Sequence, residues 1–176
     1  MSVLTDQYRG FARYNHDFNA ALYQRLEALS TDQRRRDLGA YFGSIHGTLN
    51  HILVADWIWL LRFRSAFSGM QVLHDAQWLV PPGALDQELY CDFADLHAAR
   101  RRTDELILRW AAQLDDKTLG QTMRYCNSKG QQRAHPLWVA AAHLFNHQTH
   151  HRGQITTLMS QTGCDPGTTD FFAYVQ

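Results

Sequence analysis

The sequence predicts an all-α protein built on four long helices and two long connections, and three observations carry that reading. Apolar residues recur at alternating spacings of three and four over long stretches. The four prolines, Pro81, Pro82, Pro136 and Pro166, lie between those stretches or at their ends. The 176 residues are 45% hydrophobic and include five Trp, nine Phe and seven Tyr, enough to fill the core of one domain.

The first helix is expected over about residues 4–29, where Leu4, Tyr8, Phe11, Phe18, Leu22, Leu26 and Leu29 make one stripe and Asn15 and Asn19 fall inside it. The second is expected over about residues 41–63. It is apolar on nearly its whole circumference, with Leu49, Leu53, Trp57 and Leu60 turned away from the face of His51. A helix buried on two sides points to a second subunit, so a homodimer is expected. Residues 65–83 hold Gly69, Pro81, Pro82 and Gly83 and read as a long crossover between helices two and three.

The third helix is expected over about residues 85–114, on Leu89, Phe93, Leu96, Ile107, Trp110 and Leu114, with Arg100 and Thr103 in the same series. Between Leu119 and His135, residues 122–125 and 131–133 flank an Asn-Ser-Lys-Gly turn and form a candidate hairpin. Pro136 opens the fourth helix, since proline is tolerated in a first turn, and Gly163 and Pro166 end it after Gln161. No repeat or linker divides the chain, so residues 1–176 read as one domain.

Charge narrows the function classes. Seventeen basic residues balance seventeen acidic ones, and scattered neutral charge argues against nucleic acid as the main partner. The runs Arg34-Arg35-Arg36 and Arg100-Arg101-Arg102 read as helix-end or solvated-face charges. No apolar stretch is long enough to span a bilayer and no cleavable leader is evident, so a cytoplasmic protein without membrane partners is expected. Cys91, Cys126 and Cys164 are widely spaced and odd in number, which fits neither a disulfide framework nor a Cys-x-x-Cys site.

The chemistry concentrates in the fourth helix. His143, His147, His150 and His151 are four of the ten histidines, and His143, His147 and His151 share one helical face. Imidazoles at i and i+4 stand about 5–6 Å apart, a span one metal ion can bridge with bonds of about 2.0–2.1 Å. Three successive positions on a straight helix cannot all reach one ion, so a ligand from elsewhere is needed. The best candidate is His51, whose face of the second helix also carries Gly47, Thr48, Ala55 and Ile58, mostly small residues that leave room for an imidazole.

Three neutral imidazoles leave a divalent ion at least one open position, the arrangement of a catalytic site. Such an ion can lower the pKa of water or deprotonate a thiol, and zinc, nickel and iron(II) all accept imidazole. No helix supplies the inward glutamates and Glu-x-x-His pairs of a di-iron centre. Gln148 stands where a zincin would carry its glutamate base.

Two segments, residues 44–56 (Ser-Ile-His-Gly-Thr-Leu-Asn-His-Ile-Leu-Val-Ala-Asp) and 146–154 (Asn-His-Gln-Thr-His-His-Arg-Gly-Gln), resemble the signature segments of the DinB/YfiT-like metalloprotein family. Tyr14, Asn15 and Asn19, Tyr125 with the Lys129-Gly130 turn, and Asp170 add to the likeness, which covers essentially the whole chain. The resemblance implies a four-helix bundle with a long crossing connection, commonly homodimeric, whose metal is held by His51, His147 and His151. It also implies kinship with thiol-dependent S-transferases and maleylpyruvate isomerases, in which a low-molecular-weight thiol attacks a small electrophile. Asn15, Asn19, Arg100 and Gln154 are the candidate residues for binding that thiol or substrate or for orienting a ligand. Asp56 and Asp104 are expected to pair with arginines or to orient a histidine, with ion pairing at the surface the default. The competing reading is a stress-associated metal-binding protein whose ion is structural, closed by His143 or His150 as fourth ligand.

Overall fold

Ser2 accepts a hydrogen bond from the Thr5 amide and caps α1, Val3–Leu26, in a computed structural model that describes residues 2–175. The helix ends one turn short of the expected Leu29. Arg34 donates to the carbonyls of Leu26 and Leu29 there, and Ser30 with Gln33 forms a capping box that starts the short α2, Thr31–Arg35. The second long helix, α3, spans Ile45–Ala66 and not residues 41–63. Gly39 and Gly43 take positive φ, and Ser44 accepts from the Gly47 amide, so residues 39–43 form a turn ahead of the cap.

The crossover is longer than expected and contains α4, Gln71–His74. The third long helix, α5, begins at Phe93 and runs to Ala112, because Asp92 caps it by accepting from the amides of Ala94 and Asp95. Leu85 and Leu89 therefore belong to the connection, and Leu85 is exposed. A short α6, Asp116–Gly120, leads into the expected hairpin: β1, Thr122–Cys126, pairs antiparallel with β2, Gln132–Pro136, in the register Thr122 to Pro136. Pro136 closes that strand and precedes the last helix, α7, Leu137–Gln161, so it sits at the cap and not in the first turn. Gly163, at φ +77°, ends α7 with two paired backbone bonds, Cys164 N–H to Met159 C=O at 2.9 Å and Gly163 N–H to Ser160 C=O at 3.1 Å. A 3₁₀ turn, Phe171–Ala173, follows.

Each long helix packs against two others: α1 lies on α5 and α7, and α3 lies on the same pair. Phe63 and Trp110 stack at 4.8 Å in the core between them, with Leu53, Leu60, Leu106 and Leu144 buried around. The second apolar side of α3 is filled within the chain. Trp57 donates its indole N–H to Thr103 at 3.0 Å and meets Trp78 edge-on, and Leu53 and Leu60 are fully buried. The patch that argued for a partner subunit is thus covered by α5 and the crossover. No helix among the described residues is long and apolar enough to cross a membrane.

Four helices also share a buried polar network. Asn15 and Asn19 of α1 donate to Asp104 of α5 at 2.7 and 3.1 Å, and Arg100 holds Asp104 through Nε at 3.0 Å and Asp56 of α3 through Nη1 at 2.5 Å. From α7, Gln148 donates to Asp56 at 2.8 Å and Arg152 donates to Asn15. Arg152 also stacks over Tyr14 and Phe18. Two arginines balance two aspartates. Burial pushes the Asp104 carboxyl up to about 6 against the pull of Arg100 and Asn19. Burial also works against the Arg100 charge, but Asp104 and Asp56 more than offset it and hold its pKa above the ordinary value. Asp56, Asp104 and Arg100 are therefore interior ion pairs and not surface ones, and Arg100 departs from the solvated run of which Arg101 and Arg102 remain exposed.

Candidate metal centre

His51 comes from the second turn of α3, and His147 and His151 come from successive turns of α7, which packs on α3. The Nε2 of His147 lies 3.2 Å from Nε2 of His51 and 3.1 Å from Nε2 of His151. Two nitrogens bonded to one tetrahedral ion at about 2.0–2.1 Å stand about 3.3 Å apart, so these spacings suit a shared metal. The metal-ligating atoms of the three lie within 4.8 Å of one another, and neither His143 nor His150 joins the group.

The other ring nitrogens fix which atoms face inward. His51 Nδ1 donates to the Leu85 carbonyl at 2.8 Å, and His151 Nδ1 donates to Gln154 Oε1 at 2.7 Å. An oxygen acceptor on Nδ1 leaves the Nε2 lone pair free for a cation. Gln154, a candidate site residue, thus orients a histidine, and its amide reaches on toward His150.

Burial lowers the pKa of all three imidazoles. His147 is taken down to about 3, by burial first and then by the neighbouring histidines, so it is neutral around pH 7. At His51 the Leu85 carbonyl and Asp56 offset part of the effect of burial, and at His151 Gln154 does the same. Neutral imidazole is the form that binds metal.

Phe42 walls the site. Its ring stacks on His51 at 3.7 Å and 17° and meets His151 edge-on at 5.6 Å. A cavity of about 720 Å³ opens beside it, lined by Tyr41, Phe42, Gly47, His51, Leu85 and Asp86. On the other flank His143 packs on Trp59 at 4.9 Å and on His147 at 5.8 Å, placing it as a wall. Phe42, Leu85 and Asp86 are absent from the expected site. The sequence pattern draws Phe42 into a helix, and Leu85 acts through a backbone carbonyl that no side-chain pattern reveals.

Asn15, Asn19 and Arg100 lie elsewhere. They are buried and engaged with Asp104 and Asp56 in the interior network. The signature segment is split between two jobs: His147, His151 and Gln154 face the site, while Gln148 and Arg152 face the network.

Gly47 explains how Phe42 comes so close to His51. A methyl group there would collide with the Phe42 carbonyl oxygen. Gly47→Ala is expected to displace the 39–43 turn, at a cost of about 1–3 kcal/mol, and to release the Phe42 ring from His51. Chemical denaturation and the histidine ring proton shifts in NMR check both effects; unchanged stability and shifts would contradict them.

A model of the DinB family matches the whole chain, residues 1–176. "Protein DinB" of Bacillus subtilis strain 168 is 25% identical over 162 residues, which cover 92% of this chain and 90% of that protein. The crystal structure of a DinB-like protein from Bacillus cereus ATCC 10987 superimposes with a TM-score of 0.55 at 20% identity, covering 86% of this chain and 89% of that one.

Proposed function

The chain belongs to the DinB family, and from that premise we propose that it is a cytoplasmic, thiol-dependent metalloenzyme of S-transferase or isomerase type acting on small electrophiles. We read its four long helices as one bundle with the crossover between α3 and α5. The observation that carries the functional reading is the convergence of three Nε2 atoms, with no fourth protein ligand in the group among the described residues, beside a cavity large enough for a small molecule. His51, His147 and His151 would hold a divalent ion of the zinc, nickel or iron class, which when bound would favour the deprotonated form of a thiol.

The chain's own residues account for the rest. Leu85 and Gln154 hold two imidazoles in the tautomer that turns Nε2 inward. Phe42 covers one face of His51 and excludes water from it. Tyr41, Leu85 and Asp86 form the wall against which a thiol or electrophile would lie.

The test is spectroscopic. Adding a low-molecular-weight thiol to the cobalt(II)-substituted protein is expected to produce a sulfur-to-metal charge-transfer band, and the apparent pKa of the thiol is expected to fall. A panel of cellular thiols that gives neither a spectral change nor transfer to an electrophile, in a protein whose thermal stability still rises with metal, would favour the structural role for the ion.

A further inference from the structure

Gln148 has no place in the metal chemistry, yet it sits between two of the proposed ligands on α7 and is completely buried. One residue after His147 and three before His151, it points about 100° and 60° around the helix from them, into the interior. Its Nε2 donates to Asp56 Oδ2, 2.8 Å away on α3, the helix that carries His51. The same Oδ2 accepts from Arg100 of α5 at 2.5 Å, so the carboxylate cannot swing to follow a moving Gln148. The bond therefore ties the two ligand-bearing helices to each other through a rigid anchor.

Resting on the metal-site reading above, we propose that Gln148 and Asp56 are positioning residues that set the rotation of α7 against α3 and so the convergence of the three imidazoles. Apolar packing alone is a poor guide to that rotation, because α7 is buried on several sides and leucine contacts are not directional. A histidine nitrogen lies about 6 Å from its helix axis, so a rotation of about 20° sweeps it through about 2 Å. Metal bonds tolerate about 0.2 Å. A directional hydrogen bond one side chain away from both ligands supplies the missing constraint.

The test compares Gln148→Met, which keeps length and volume but cannot donate, with Asp104→Asn, which cuts the same network at its α1–α5 end. Cobalt(II) and zinc affinities are measured by chelator competition on untagged protein, with the cobalt absorption spectrum and the urea midpoint of the metal-free protein. Gln148→Met is expected to lose 10–100-fold in affinity and to shift the cobalt spectrum. Asp104→Asn is expected to lower the urea midpoint while binding metal within about twofold of wild type. Gln148→Leu serves as the second variant if Gln148→Met fails to fold. Wild-type affinity and spectrum in the Gln148 variants would overturn the proposal, as would affinity losses in all variants that simply track stability. Absence of stoichiometric metal in the wild type would instead overturn the metal reading itself, before any variant is compared.

Discussion

Arg100→Ala is expected to destabilise the fold by roughly 3–5 kcal/mol, the cost of leaving partnered charges alone in an interior. Arg100 is buried between Asp104 at 3.0 Å and Asp56 at 2.5 Å. Removing it leaves two buried carboxylates whose remaining donors are the amides of Asn15, Asn19 and Gln148. Against a typical domain stability of about 5–15 kcal/mol, the loss is enough to deplete soluble protein at growth temperature. Urea denaturation of metal-free wild type and variant measures it. A cost below about 1 kcal/mol would mean that the network is hydrated and contributes little to holding the helices together.

That prediction rests on residues whose sequence context pointed elsewhere. Arg100 stands in a run of three arginines, which reads as a solvated face, and Asp56 and Asp104 read as its surface partners. The stripe of α5 carried the correct signal: Arg100 and Thr103 share the series of Leu96, Ile107 and Trp110, so a polar side chain there must enter the interior and find a partner. Asn15 and Asn19 gave the same signal in the stripe of α1. What periodicity cannot supply is the pairing between helices, and hence whether such residues serve a ligand or each other.

The histidine site was far more legible. Spacing of i and i+4 places His147 and His151 on one face, and the small residues around His51 mark the room its partners need. Element ends were read less well, and for a physical reason. The expected third helix began at Leu85 because its apolar residues continue the period, but the cap at Asp92 stops it. The expected second helix began at Tyr41, across Gly43, which takes positive φ. Both errors hid wall residues of the site, Phe42 and Leu85. The apolar circumference of α3, on which the expectation of a second subunit rested, meets α5 and the crossover in the same chain.

His51→Ala is expected to reduce metal affinity by about two to three orders of magnitude. Apparent zinc affinities of four-ligand protein sites correspond to about 10–16 kcal/mol, or roughly 2.5–4 kcal/mol per ligand. The other two histidines of α7, His143 and His150, cannot replace the ligand from α3, because neither joins the group and His143 packs on Trp59. His74→Ala and His97→Ala are expected to bind as wild type does. Equilibrium titration with a competing chelator separates these outcomes.

The central claim, a three-histidine centre with an open position, is tested most directly by metal analysis and X-ray absorption on untagged wild-type protein. The account predicts one divalent ion per chain, with three imidazole nitrogens at about 2.0–2.1 Å and a remaining position that a thiol fills with one sulfur at about 2.3 Å. Metal well below one ion per chain, or a shell closed by a fourth protein ligand that no thiol displaces, would contradict it.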